Sequence, residues 1–254
     1  MRYSFFAGTN ACVLIQQISQ IGLKHKKARK QENKQETMLE FGHEQCIRLN
    51  NHAVELFERG CFHGSAAIFK EVLDAFANVV PSRFGNRTHC YTPQNTQLHR
   101  WSKQPRIQAK GKDEIFVHCR NVYLRCPDSF EEDLKRYYVA LILYNIAVCF
   151  HMLSLIGERN LCSFDDFSSK AFSIYNMAFA TMKLSLFKDG VVLTVLFNNS
   201  GQLLYRQGRT FEATKRLGLV QELISTLPMN SFAPDDYDGM FLNSLMDSDT
   251  ASAA

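Results

Sequence analysis

One five-residue pattern occurs three times in this chain and limits its fold more than any other feature. It reads Leu49-Asn50-Asn51-His52-Ala53, then Leu143-Tyr144-Asn145-Ile146-Ala147, then Phe197-Asn198-Asn199-Ser200-Gly201. In each copy a large apolar residue stands four places before a small one, and an asparagine stands two places before it. Residues four apart share one face of an α-helix, so the small residue leaves room for a second helix on the side where the large one packs. The copies sit in stretches 40–78, 130–186 and 188–226, whose apolar residues recur at helical spacing. A second helix follows each copy. The first copy runs through Leu56 and a turn at Gly60 to Phe62, Ser65, Phe69 and Val72. The third runs through Leu204 and a turn at Gly208 to Ala213, Leu217 and Val220. Glycine at such a turn supplies the left-handed conformation that ends a helix. In the second copy Phe150 closes the first helix, a longer loop from Gly157 to Ser168 replaces the glycine turn, and Ala171, Tyr175 and Ala178 pack the second helix. Turn formers are scarce, with 13 glycines and 6 prolines in 254 residues, which disfavours a loop-rich β protein. No run of eighteen apolar residues occurs, which argues against a transmembrane bundle.

This arrangement resembles the tetratricopeptide repeat, a helix–turn–helix unit of 34 residues with small and large residues at fixed packing positions. The resemblance covers about half the chain, near 45–78, 139–183 and 193–226. Its packing positions fall on Leu49, Ala53, Gly60 and Phe69 in the first copy and on Ala147, Ala171, Tyr175 and Ala178 in the second. In the third they fall on Gly201, Gly208 and Ala213. The chain departs from the family in several places. It has no tryptophan at the first-helix position, Ser65 stands where alanine is usual, Phe211 is one place off, no proline closes the repeat, and the second turn is long. The resemblance implies an all-α fold of antiparallel helical hairpins stacked as a superhelix, with the first helices lining a concave groove. Asn51, Asn145 and Asn199 would face that groove, flanked by Tyr144, Asn198 and Gln202. An asparagine amide both donates and accepts, so a row of them can hold an extended peptide backbone whatever its sequence. The other reading of the same residues is that each asparagine bonds to the next helix and fixes repeat packing. Family members that hold a terminal carboxylate place basic residues in the groove. Asn50, Asn145 and Val195 stand at those places here, so that role is unsupported.

The charge is unevenly spread. Residues 1–31 and 75–112 contain no acid, and the second stretch carries seven basic residues. Residues 229–254 contain five aspartates and no lysine or arginine. Such blocks mark solvated segments. The expected plan is a basic arm at 1–39, a first hairpin at 40–78, an insertion at 79–129, second and third hairpins at 130–226, and an acidic tail at 227–254. The arm reads as disordered, or as an extension ahead of a start at Met38, with an organelle signal as the weaker alternative. The insertion reads as disordered up to about residue 112. The β-branched and aromatic residues from Glu114 to Pro127 fit one or two short strands, in effect a small β-hairpin.

No catalytic or metal-binding constellation emerges. The eight cysteines contain no C-x-x-C pair, and several fall inside apolar periodic patterns, as free thiols in a reducing intracellular compartment do, cytoplasmic or nuclear. His43 and Cys46 would lie roughly 22 Å along a helix from Cys61 and His63, too far to share a zinc ion. No nucleophile elbow, phosphate loop or H-E-x-x-H occurs. The expectation is therefore a non-enzyme without cofactor or metal: a protein–protein interaction adaptor or scaffold that binds a peptide or partner helix in its groove. The alternative is an RNA-binding helical-repeat protein, using the basic arm and insertion for phosphate contact and Tyr91 and Trp101 for base stacking.

Overall fold

The computed structural model describes residues 42–78, 98–103, 117–127, 132–159, 164–185 and 189–245. The basic arm at 1–39, most of the insertion and the last nine residues lie outside them. The described chain is mostly α-helical. Helices α1 (His43–Glu58) and α2 (Phe62–Asn78) come first, followed by strands β1 (His99–Trp101) and β2 (Val122–Leu124). Helices α3 (Glu132–Arg159), α4 (Phe164–Leu184), α5 (Gly190–Arg206) and α6 (Thr210–Thr226) follow. A 3-10 turn (Met229–Ser231) then leads into α7 (Pro234–Leu245). Each helix packs on the next in chain order, with the pairs α3–α4 and α5–α6 in the most extensive contact and α1–α2 and α2–α3 alike behind them.

The helix ends follow from sequence chemistry. α1 buries Cys46, Ile47, Asn50, Ala53, Val54 and Phe57, a stripe at three- and four-residue spacing. It stops at Gly60, whose φ of 83° is left-handed. The Gly60 N–H donates to Phe57 O at 2.8 Å and the Cys61 N–H to Leu56 O at 2.9 Å. Gly208, with φ 72°, ends α5 the same way, through Tyr205 O at 3.0 Å and Leu204 O at 2.9 Å. These pairs satisfy carbonyls that a helix end otherwise leaves open, and only glycine takes that φ without strain. At its other end α5 is capped by Asp189, whose carboxylate accepts from Val192 N–H at 3.1 Å.

The small positions allow close helix approach. Ala53 and Ala147 are fully buried. At Gly201 an added Cβ would stand 2.9 Å from Leu217 Cδ2 and 3.4 Å from Arg216 Cβ, both on α6. Phe69, Ala171, Tyr175, Ala178 and Ala213 are also buried, and Leu49 is partly buried against the same core. Ser65 replaces the usual alanine without leaving a stranded hydroxyl, since its Oγ donates to Ala53 O at 2.7 Å.

α3 is the central helix. Its window Glu132–Gly157 is long and apolar enough to cross a membrane, but 83% of that window is buried by the rest of the chain. It does not end at Phe150 but runs to Arg159, and α4 begins at Phe164, inside the loop expected from Gly157 to Ser168. Met152 and Leu153 continue the buried face, which carries the helix two further turns. β1 is a second correction: it lies inside the stretch read as disordered. It pairs antiparallel with β2, in the register His99 to Leu124 and Trp101 to Val122, and a three-residue strand with a distant partner carries no periodic signal of its own.

Gly201→Ala should destabilise the chain by about 1–3 kcal/mol through overpacking against Leu217. Gly218→Ala, on the exposed face of α6 with nothing within 4 Å of the added methyl, should stabilise it by about 0.5–1 kcal/mol. Urea denaturation of both variants checks the pair, and a neutral or stabilising Gly201→Ala would contradict the close approach of α5 and α6.

Candidate interaction site

The three phased asparagines hold one extended segment of the chain itself. Asn51 sits on α1, Asn145 on α3 and Asn199 on α5, and each side-chain amide makes two bonds to a single residue of that segment. Asn145 Nδ2 donates to Val122 O at 2.9 Å while its Oδ1 accepts from Val122 N–H at 2.7 Å. Asn51 does the same with Leu124, at 2.9 and 2.8 Å. Asn199 does the same with His118, at 3.0 and 2.9 Å. In an antiparallel sheet two opposed residues exchange both of their peptide bonds in this fashion. Each asparagine therefore stands in for one residue of a neighbouring strand. The other edge of the segment faces β1, where Ser102 N–H donates to Asn121 O at 2.7 Å and Arg125 N–H to Leu98 O at 3.1 Å. Odd-numbered residues pair with β1 and even-numbered ones with asparagines, as the two-residue period of an extended chain requires.

Further polar groups hold the asparagines in place. Asn50 accepts from Asn145 Nδ2 at 3.1 Å and donates to Val122 O at 3.1 Å, which ties α1 to α3. Asn199 Nδ2 also donates to Tyr175 Oη at 3.1 Å. Tyr175 Oη in turn meets His151 Nδ1 at 3.3 Å, and His151 Nε2 meets Gln202 Oε1 at 2.7 Å. Tyr144 Oη donates to Arg120 O at 2.9 Å and meets His118 Nδ1 at 3.1 Å. Asn198 donates to Asn199 Oδ1 at 3.1 Å and accepts from Asn243 of α7 at 2.7 Å. Tyr144, Asn198 and Gln202, expected beside an open groove, are fully buried behind its occupant.

The acidic tail contributes a residue that the sequence did not single out. Asp236 on α7 is 3% exposed, and its Oδ2 lies 2.8 Å from Arg120 Nε and 3.7 Å from His118 Nε2. Burial raises the Asp236 pKa, and the Arg120 charge acts against that rise. Burial and the Arg120 charge together lower the His118 pKa to about 3, so the imidazole is neutral. β1 is anchored separately: Tyr137 Oη donates to Asp189 Oδ2 at 2.7 Å and meets His99 Nδ1 at 3.0 Å. Trp101 is half-buried, its ring 4.8 Å from that of His118 and 5.8 Å from that of Tyr144. It is packed inward rather than offered for base stacking, and Tyr91 lies outside the described residues.

The five described cysteines are free, and burial pushes the Cys46 thiol up to about 11 and the Cys149 thiol up to about 12, far from a reactive thiolate. Among the described residues no three His, Cys, Asp or Glu side chains converge to hold a metal. His43 packs against Phe76 and His63 against Phe167. What the arrangement does show is peptide groups of one internal segment paired by side-chain amides. No protein-family model, curated protein or solved structure was found to match the chain.

Two measurements test this geometry. Asn145→Ala leaves the Val122 peptide group and Asn50 Oδ1 short of partners in a dry site and should cost about 3 kcal/mol. Asn51→Ala, at a partly exposed position that water can reach, should cost about 1 kcal/mol; urea denaturation checks that order. His151 gives the second. Burial lowers its pKa from 6.5 to about 3, with the Gln202 bond pulling upward and the Arg206 charge adding to the fall. The unfolded chain therefore takes up the proton first. The neutral-histidine contribution is fully present above pH 6.5 and is lost as pH falls toward 3. Between pH 7 and pH 5 it should cost about 2 kcal/mol, and His151→Gln should reduce the pH dependence of unfolding by that amount.

Proposed function

We propose that this chain is a protein–protein interaction adaptor of the tetratricopeptide type, with hairpins stacked as a superhelix whose first helices grip an extended chain. The observation that carries the reading is the set of three two-bond asparagine pairs, one from each hairpin, on a single extended segment. Each pair engages only peptide groups, so the row can hold any segment whose side chains fit beside it. Residues 118–124 fill the row in the resting chain, and a partner gains it by replacing them. β2 is only three residues long, and short elements of this kind open at lower free energy than a whole fold. The function is binding, without cofactor, metal or catalysis.

The test is to pan random peptides against the immobilised full-length chain. Enriched peptides should bind saturably and compete with one another. They should lose about ten-fold or more in affinity for an Asn51→Ala, Asn145→Ala, Asn199→Ala chain that keeps its helical circular dichroism. If that chain unfolds, Asn51→Ala alone serves as the comparison. Failure to enrich any peptide, or enriched peptides that bind the variant unchanged, would overturn the reading.

A further inference from the structure

The segment in the groove also specifies what else could lie there. Val122 and Leu124 are 0% and 2% exposed and belong to the main hydrophobic core, so the site has two filled aliphatic places two residues apart. Two residues before Val122 stands Arg120, whose guanidinium faces Asp236. That carboxylate comes from α7 and not from the segment, so it belongs to the site. It is almost fully buried, and its Oδ1 has no hydrogen-bond partner. A buried carboxylate with an open oxygen asks for a cation opposite it. The resident arginine brings its Nε to 2.8 Å from the other oxygen without an aligned hydrogen bond and donates from Nη1 to Ser102 O instead, whereas guanidinium binds carboxylate most strongly as a two-bond fork. The resident segment, continuous with the chain at both ends, is thus an imperfect ligand for the site that holds it.

We infer that the partner class of this groove is an extended peptide with arginine followed by aliphatic residues two and four places later, its arginine paired to Asp236 and its backbone held by Asn145 and Asn51. The chain's own Arg120, Val122 and Leu124 are the resident copy of that pattern. This inference rests on the groove reading above and adds side-chain selectivity to it. α7 is accordingly a specificity element: the backbone clamps accept any extended chain, and Asp236 selects among them.

The experiment uses fluorescence polarisation under reducing conditions, with a labelled peptide of the sequence at 117–127. Two altered peptides accompany it, one with Arg120→Glu and one with Val122→Ser and Leu124→Ser. The target is the full-length chain, as wild type and as Val122→Asp, which expels the resident segment. The Val122→Asp chain should bind the native-sequence peptide about ten-fold or more tighter than wild type does, and both altered peptides about ten-fold or more weaker. Adding Asp236→Asn to that chain should abolish the preference for arginine over glutamate. If Val122→Asp loses its helical circular dichroism, Arg120→Glu replaces it, setting a second carboxylate, at a partly exposed residue, against the buried Asp236. Equal binding of all three peptides would overturn this inference and leave the groove reading intact. Absence of binding by every peptide to a folded, loosened chain would overturn both.

Discussion

The two-bond pair between an asparagine amide and a peptide group is the interaction on which the rest of this structure depends. A two-stranded β-ribbon is marginal alone in water. Here β2 has β1 on one edge and Asn51 and Asn145 on the other, with Asn199 holding His118 ahead of it, so its peptide groups are paired on both sides while it lies against helices. The pairing runs in both directions. Asn145 and Asn199 are fully buried amides, and a buried amide without partners would weigh against the fold. The extended segment gives these helices acceptors and donors at a spacing that no helix backbone offers, because helix backbone groups are already used.

The helical hairpins set that spacing. Small residues at 53, 147 and 201 let neighbouring helices close up, and each asparagine stands two residues before one of them. Gly60 and Gly208 end α1 and α5 with the same hydrogen-bond pattern, so the following helices leave at comparable points. Behind the row, Asn50 links the first two clamps, while Tyr175, His151 and Gln202 extend from the third. At the far end α7 contributes Asn243 to Asn198 and Asp236 to Arg120, so the acidic tail takes part in the site.

What was legible in the sequence was local and periodic. The asparagine phase, the small packing residues and the two glycine turns each depend on neighbours within a turn or two, and they mark the helices and the residues at the centre of the site. What was not legible depends on distant partners. β1 shows no pattern because its reason for being extended is β2, more than twenty residues away. Asp236 reads as one more tail aspartate until Arg120 is brought beside it. Tyr144, Asn198 and Gln202 share a phase with groove-facing positions, and only the occupant decides that they are buried. Phe150 reads as a helix end, whereas Met152 and Leu153 continue the packed stripe. The doubled asparagines at 50–51 and 198–199 were a missed signal. Adjacent residues on a helix point to different neighbours, so a pair of amides implies a network and not a single contact.

The most direct test of the central claim is native-state hydrogen exchange read at the amides of His118, Val122 and Leu124. These residues lie in a short strand and an irregular stretch, where exchange close to that of a free peptide is the ordinary behaviour. If the asparagine row holds the segment, the three amides should exchange far more slowly than free-peptide amides, while opening ahead of the helical amides of α3. Exchange of all three at free-peptide rates, with α3 still protected, would contradict the account.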